Sequence, residues 1–182
     1  MSEMFSRRVF MRGLGVVAAA AALTACSSTN EAVNQALIEG AVGGIVAADC
    51  KIGRMTYWAA NATVPVYEIS FRIVMTNVSS KPVTLSGDNF ATTLDGTPIP
   101  PFNFSARDVG DADIWSTYDS LTIRPGEERS IALAYEISQP TYDSWYKSSR
   151  TVAVSFTCGN QRVTYTKNSR SDEITVSDIE TL

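Results

Sequence analysis

From about Cys50 onward, apolar and polar residues alternate with a period of two, which is the spacing of a half-buried β-strand. The clearest run spans residues 66–77. One face of this predicted strand would carry Tyr67, Ile69, Phe71, Ile73 and Met75. Residues 129–137 and 151–158 repeat the pattern. The apolar face of the last run consists of Val152, Val154, Phe156 and Cys158.

Turn sequences separate these runs. They are Gly-Asn at 159–160, Asp-Gly at 95–96 and Pro-Gly at 125–126, and the first predicts a two-residue hairpin. Gly53 predicts a β-bulge that shifts the inward face of the first strand. Short strands with regular turns and little helical signal predict an all-β fold, an antiparallel β-sandwich. Residues 142–147 are predicted to form a single helical turn between the two sheets.

The N-terminal segment has a basic start followed by an apolar run at 14–23, which is typical of an export signal. The run is shorter than the ~20 residues that a membrane-spanning helix needs. The stretch Ser6-Arg7-Arg8-Val9-Phe10-Met11-Arg12 resembles a twin-arginine export signal. We therefore expect export, with a general secretory signal as the alternative.

Leu23-Thr24-Ala25-Cys26 resembles the lipobox of bacterial lipoproteins. This resemblance implies lipid on Cys26, cleavage before it, and membrane anchoring outside the cytoplasm through acyl chains such as palmitate. The predicted organisation is a signal peptide at 1–25, a tether at 26–49, the sandwich domain at 50–170 and a C-terminal tail at 171–182.

Charge narrows the range of partners. The full chain has a formal net charge of −4. Removal of residues 1–25, with three arginines and one glutamate, would leave 12 basic and 18 acidic residues among 157. An acidic domain has no electrostatic basis for nucleic-acid binding. It would also be repelled by an anionic membrane surface, so the lipid would have to provide the anchor.

If Cys26 carries lipid, Cys50 and Cys158 remain as an even pair of cysteines. In an oxidising compartment an even pair predicts a disulfide. The alternative is two free thiols that bind a metal, which would need carboxylate partners because the chain has no histidine.

The segments "NVSSKPVTLSGDNFATTLDGTPIPP" and "LTIRPGEERSIALAYEI" resemble Ig-like lipoprotein domains of unknown function, of the immunoprotective-extracellular type. The matching positions are Asn77, Lys81-Pro82, Asp95-Gly96 and Pro125-Gly126-Glu127. The resemblance covers roughly residues 54–167 and implies an Ig-like sandwich on the cell envelope. It brings no catalytic residues and no cofactor, and the Cys50–Cys158 pair is not part of the pattern.

The absence of histidine excludes Ser-His-Asp, Cys-His and His-zinc sites within this chain. Ser144 and Lys147 match the S-x-x-K signature of penicillin-recognising enzymes, but the partner motif K-T-G is missing. An envelope hydrolase with a Ser-Lys site is therefore kept as an alternative, and a non-enzymatic role is expected.

Carboxylates cluster in the stretch "ARDVGDADIWSTYD", which contains Asp108, Asp111, Asp113 and Asp119. Calcium binds six or more oxygen ligands, and clustered carboxylates on a loop can supply them. The spacing is not that of an EF-hand. A solvated acidic loop is the other interpretation.

Aromatic residues accompany two of the predicted loops. They are Trp115 and Tyr118 beside the acidic loop, and Tyr142, Trp145 and Tyr146 in the connection between sheets. Such residues stack on sugar rings or anchor a protein partner, although in small domains they also cover the core. We expect a lipid-anchored, extracytoplasmic Ig-like module that binds an envelope protein or glycan.

Overall fold

The computed structural model describes residues 40–57, 63–101, 103–109 and 115–182. The strands, in chain order, are β1 (Ile45–Tyr57), β2 (Val66–Asn77), β3 (Val83–Ser86), β4 (Phe90–Leu94), β5 (Thr97–Ile99), β6 (Asn103–Asp108), β7 (Ser116–Thr117), β8 (Ser120–Ile123), β9 (Glu128–Glu136), β10 (Thr151–Cys158), β11 (Gln161–Asn168), β12 (Ile174–Val176) and β13 (Glu180–Thr181). One short helix, α1 (Gln139–Asp143), lies between β9 and β10. Within these residues no helix is both long and apolar enough to cross a bilayer.

The described strands form an antiparallel all-β sandwich, as the alternation predicts. The first sheet has the strand order β1-β2-β9-β6-β7. The second has the order β12-β11-β10-β4-β5, with β13 also paired to β11, and β3 pairs with β8 separately. Every pairing is antiparallel.

The core lies between the two sheets and follows the predicted parity. In β2 the inward positions Ile69, Phe71, Ile73 and Met75 are all buried. The sheets meet through aromatic contacts, with ring centroids 5.6 Å apart for Phe71–Tyr165 and 6.1 Å apart for Phe71–Phe90. Burial of these large side chains is the main favourable term in folding.

Asn77 ends β2 at an inward position and is completely buried. Its Nδ2 donates to the carbonyls of Lys81 and Ile123, both at 2.8 Å. Its Oδ1 accepts from the backbone N–H of Ser79 at 2.9 Å. A buried amide is tolerated when its hydrogen bonds are made. Through these bonds Asn77 joins the turn after β2, which contains Lys81, to the last residue of β8.

The three predicted turns are confirmed. Cys158 pairs with Gln161 and Leu94 pairs with Thr97, so the Gly-Asn and Asp-Gly turns each have two residues. Gly126 has φ 75°, and the N–H of Glu127 donates to the carbonyl of Arg124 at 2.9 Å. That geometry, with proline before glycine, is typical of a type II turn.

The structure differs from the sequence prediction in the first strand. The register between β1 and β2 shifts between Ala48 and Lys51, where Asp49 has φ 48°. Gly53 pairs regularly with Ser70, so the bulge predicted at Gly53 is wrong. The irregularity changes the inward positions of β1 from Ile45 and Ala47 to Cys50 and Ile52, which are all buried.

The domain boundaries also differ. β1 begins at Ile45, inside the segment predicted to be tether, and Val42 is already buried. The predicted tail contains β12 and β13, which both pair with β11. The sandwich therefore extends beyond 50–170 at both ends. At the N-terminal end the irregularity between Ala48 and Lys51 interrupts the alternation of β1, and at the C-terminal end the strands are too short to give a clear alternation.

The sandwich has two distinct ends. We call the end with α1, residues 144–150 and the Asp95-Gly96 turn the crossover end, because the Asp95 N–H donates to the Thr151 carbonyl there at 2.8 Å. The opposite end, with residues 43–44, 125–126 and 159–160, is called the turn end. The eight residues of β10 separate the two ends by about 23 Å at 3.3 Å per residue. The predicted helical turn between sheets is confirmed, although α1 begins at Gln139.

Candidate binding surface

The five aromatic residues predicted to bind a partner do not form one surface. Trp145 is 1% exposed and belongs to the core, so the prediction that it contacts a partner is wrong. Tyr142 and Tyr146 lie at the crossover end. Trp115 and Tyr118 flank β7, at the edge of the first sheet opposite to β1. At about 4.8 Å per strand, the two edges are roughly 19 Å apart.

The local structure explains why Trp145 is buried and its neighbour Tyr146 is exposed. Ser138 caps α1 by accepting from the N–H of Thr141, and Pro140 lies in the first turn. Beyond α1 the chain continues in helical turns, with Trp145 N–H donating to the Tyr142 carbonyl at 3.2 Å. This path directs Trp145 into the core. Tyr146 is 62% exposed.

Arg54 from β1 contacts both tyrosines of the crossover end, Tyr142 and Tyr146. Its guanidinium carbon lies 4.2 Å from the ring centroid of Tyr142 and 4.6 Å from that of Tyr146. Its Nη1 donates to the Tyr142 carbonyl at 2.5 Å. The ring of Tyr67 packs against Tyr142 with centroids 5.1 Å apart. We call these four residues the arginine–tyrosine cluster.

Sequence reasoning did not identify Arg54, although a signal was present. Cys50 and Ile52 face the core, so the alternation of β1 places Arg54 at an inward position. A charged residue there needs an unusual partner, because an isolated buried charge is costly. Two aromatic rings provide it, since the face of an aromatic ring attracts a guanidinium.

Arg54 differs from Arg129 and Arg150, which each pair with a carboxylate. Arg129 pairs with Asp108 and Glu127, and Arg150 pairs with Asp95 at 2.8 Å. The hydrogen bond from Arg150, helped by one from the Thr151 backbone, lowers the pKa of Asp95. Within the described part of the chain, no carboxylate lies within ion-pair distance of Arg54.

Trp115 has a covering role on the solvent side of the first sheet. The guanidinium carbons of Arg107 and Arg72 lie 4.8 Å and 5.6 Å from its ring centroid. Arg72 is held in turn by Ser70, whose Oγ accepts from its Nε at 3.3 Å. Trp115 is only partly exposed. Tyr118 is 39% exposed, and its backbone N–H donates to the Phe104 carbonyl.

Glu68 is an unexpected buried carboxylate on the same solvent side. It is 6% exposed and lies between Met55 and Glu136 on the neighbouring strands. Burial raises its pKa, and the positive charge of Arg72 offsets part of this effect. The alternation places Glu68 on the polar face, so the sequence gives no signal of its burial.

The Ser144 and Lys147 pair does not show the geometry of a nucleophile and its base. The Ser144 hydroxyl donates to the Thr141 carbonyl and accepts from Arg150 Nη2, both at 3.2 Å. The backbone N–H of Lys147 donates to the Ser144 carbonyl. In the part of the chain that the structure describes, the hydroxyl therefore bonds to Thr141 and Arg150, and not to the Lys147 amine.

Of the calcium candidates, Asp108 is paired with Arg129. Asp111 and Asp113 lie outside the described residues. In the ranges that the structure does describe, no group of three or more histidine, cysteine, aspartate or glutamate side chains is arranged to hold a metal ion.

The predicted disulfide is not formed, because Cys50 and Cys158 are free thiols. Cys158 lies at the turn end, opposite Gln161, and its thiol points to the Gly43 carbonyl at 3.8 Å. Cys50 lies five positions along β1 from Ile45, which is next to the turn end. Five strand residues span about 16 Å, whereas a disulfide needs Cα atoms within about 7 Å.

Burial governs the chemistry of both thiols. It raises the pKa of Cys50 to about 12, with a small opposing effect of Lys167, and it also raises the pKa of Cys158. A thiol with a raised pKa is a poor nucleophile and metal ligand at neutral pH. Cys26, the predicted lipid attachment point, lies outside the described residues.

Comparisons with known proteins add little about function. No family model matches the chain, and no curated protein matches it. A functionally unknown protein from Listeria monocytogenes EGD-e is similar in structure, with a TM-score of 0.38 and 13% identity over 66% of this chain and 70% of that one. A protein from Archaeoglobus fulgidus gives a TM-score of 0.32 and 13% identity over 72% of this chain and 95% of that one.

Proposed function

We propose that this chain is an exported, lipid-anchored, Ig-like binding module of the bacterial cell envelope, without catalytic activity of its own. The twin-arginine-like stretch at 6–12 and the lipobox ending at Cys26 support export and anchoring. More than one acyl chain would hold the protein stably on a membrane.

The position of the first described residues fits this proposal. Gly40 lies against Ile179, and Gly43 donates its N–H to Gln161 Oε1 at 2.9 Å, next to the β10–β11 turn. The described chain therefore begins near the turn end of the sandwich. A tether that leaves from the turn end allows the crossover end to face away from the membrane.

One observation carries the binding role: Tyr146 is 62% exposed and yet held against Arg54. A large ring fixed before contact loses little conformational entropy on binding. Tyrosine and arginine are also the side chains that most often dominate binding energy. The crossover end thus offers a pre-organised contact point, opposite to the end where the described chain begins.

The anchoring half of the proposal is tested by mass spectrometry of the protein from bacterial membranes. We expect an N-terminal Cys26 that carries acyl chains. The Cys26→Ser variant should move to the soluble fraction. An unmodified N-terminus upstream of Cys26, or a Cys26→Ser variant that stays on the membrane, would contradict the anchoring half.

The binding half is tested by a photo-crosslinking amino acid placed at position 146 or, as a control, at position 118. Both tyrosines are exposed, but they lie at opposite edges of the first sheet. In living cells we expect a discrete crosslinked species from position 146 and none from position 118. Equal crosslinking from both positions, or none from either, would overturn the binding role of the crossover end.

A further inference from the structure

We infer that the arginine–tyrosine cluster binds an acidic glycan, with a carboxylate on the free edge of Arg54 and a sugar ring on the outer face of Tyr146. This inference rests on the proposed function, since it names the partner class of the same surface. It is carried by the hydrogen-bonding state of Arg54, the exposure of Tyr146 and the polarity of the residues around them.

The guanidinium of Arg54 has a defined free edge. A guanidinium is planar and has five N–H donors in a fixed arrangement. The rings of Tyr142 and Tyr146 lie over it at 4.2 Å and 4.6 Å, and Nη1 donates to the Tyr142 carbonyl. The remaining N–H groups lie in the guanidinium plane, where they can donate to an oxyanion through two parallel hydrogen bonds.

The negative charge that matches this edge has to come from a ligand. The carboxylates that pair with arginine in the described ranges serve Arg129 and Arg150. Arg54 is held in place by aromatic rings and a carbonyl, with no carboxylate partner among the described residues, so its positive charge is available to an anion. Complementary charge gives specificity for the partner that supplies the missing anion.

The surroundings of Tyr146 favour a sugar over a protein surface. The neighbouring side chains Asp143, Lys147 and Ser149 are exposed and polar. A protein contact site of high affinity usually buries a contiguous cluster of large side chains. A single open ring with hydrogen-bonding groups around it instead suits a ligand with an apolar ring face and many hydroxyls.

An anionic membrane surface is a weaker candidate for the same edge. The segment 26–182 has 12 basic and 18 acidic residues, so a negatively charged bilayer would repel it. A short carboxylated oligosaccharide places its charge at one point. There Arg54 and Lys147 provide two positive charges against the single negative charge of Asp143, while salt screens the more distant carboxylates.

The test is calorimetric titration of the full chain in neutral detergent with a tetramer of galacturonic acid. The matched ligand is the methyl ester of the same tetramer, which keeps the rings and removes the charge. We expect the acid to bind and the ester to bind at least tenfold more weakly. Absence of binding by the acid, or equal binding of acid and ester, would overturn the inference.

Variants separate the two parts of the contact. Tyr146→Ala should weaken binding of the acid about tenfold, whereas Tyr146→Phe should keep most of it because the ring remains. Arg54→Lys keeps the charge but loses the planar edge, and should weaken binding five- to tenfold. The controls Tyr118→Ala and Arg124→Lys should bind like the native chain. A control that weakens binding as much as its matched variant would overturn the inference.

The outcome is distinguishable from failure of the proposed function. If the galacturonic acid tetramer does not bind but position 146 crosslinks to a protein in cells, the glycan inference is wrong and the binding role stands. If neither occurs, both are wrong. The melting temperature of each variant shows whether the variant is still folded, so that weaker binding can be assigned to the lost contact and not to unfolding.

Discussion

Gly43 packs directly on the thiol of Cys158, so that a Cβ on residue 43 would lie 2.5 Å from Sγ. The same position has φ 57°, in the left-handed region. The N–H of Gly43 also donates to Gln161 Oε1. These contacts attach the beginning of the described chain to the β10–β11 turn, at the turn end of the sandwich.

Gly43→Ala should therefore be strongly destabilising. The left-handed backbone costs about 1 kcal/mol for alanine, and forcing a methyl group into a filled space costs about 1–3 kcal/mol more. The matched control is Gly159→Ala, which has φ 61° but nothing within 4 Å of the added Cβ. Urea unfolding should show the larger loss of unfolding free energy for Gly43→Ala. Equal losses would contradict the close contact with Cys158.

The two thiols should be free but differ in accessibility. Without reductant, alkylation of the native chain should leave the buried Cys50 unmodified, and unfolding in urea should allow both Cys50 and Cys158 to react. Mass spectrometry of peptides locates each label, and Cys158→Ser should remove one of them. Labelling of either residue only after reduction would show that a disulfide had formed.

Stability should fall in alkaline solution. Burial raises the pKa of Cys50 from its ordinary value of 9.0 to about 12, and that of Tyr135 from 10.0 to about 12. Between these values the unfolded chain loses protons that the folded chain retains, so rising pH favours unfolding. Each such group lowers the unfolding free energy by about 1.4 kcal/mol per pH unit.

The thiol contribution can be isolated between about pH 8 and pH 10 by comparison with Cys50→Ala, because the tyrosines contribute equally to both chains. In that window the unfolding free energy of Cys50→Ala should depend less steeply on pH than that of the native chain. Below about pH 8, where the unfolded thiol keeps its proton, the two slopes should agree. A native slope that Cys50→Ala leaves unchanged would contradict the burial of this thiol.

Glu68→Gln should stabilise the protein at neutral pH. Burial raises the pKa of Glu68, so the folded state binds its proton more tightly, and stability falls as pH rises through the folded pKa. Removing this charge should raise the unfolding free energy by about 1 kcal/mol at pH 7, and by less at pH 4. Glu136→Gln, at the exposed neighbour, is the control. Destabilisation at pH 7 would contradict an unpaired buried carboxylate.

Much of the fold follows from local chemistry. The inward face of β2 and the turns at 95–96 and 159–160 are predictable because strand alternation and turn preferences act over a few residues. The disulfide prediction was wrong for a non-local reason. Counting cysteines indicates a possible pair, but the levels of Cys50 and Cys158 in the sandwich depend on strand pairing across the whole domain.

The site was only partly predictable for the same reason. The aromatic connection at 142–147 identifies the right segment, but its spacing does not tell which ring enters the core. Trp145 enters the core because the turns after α1 direct it inward, whereas its neighbour Tyr146 is exposed. Arg54 lies 88 positions from Tyr142, and such a contact is set by packing of β1 against α1.

The most direct test of the central claim, that the crossover end is the contact surface, is hydrogen–deuterium exchange of the full chain with and without bacterial envelope membranes. We predict slower exchange in peptides that cover 139–150 and in those that cover Arg54. In peptides that cover 124–128 and 159–162, at the turn end, exchange should change only as far as membrane anchoring itself slows it. Tyr146→Ala should not alter that effect of anchoring. Protection confined to the turn end, or protection at 139–150 that Tyr146→Ala does not reduce, would contradict the account.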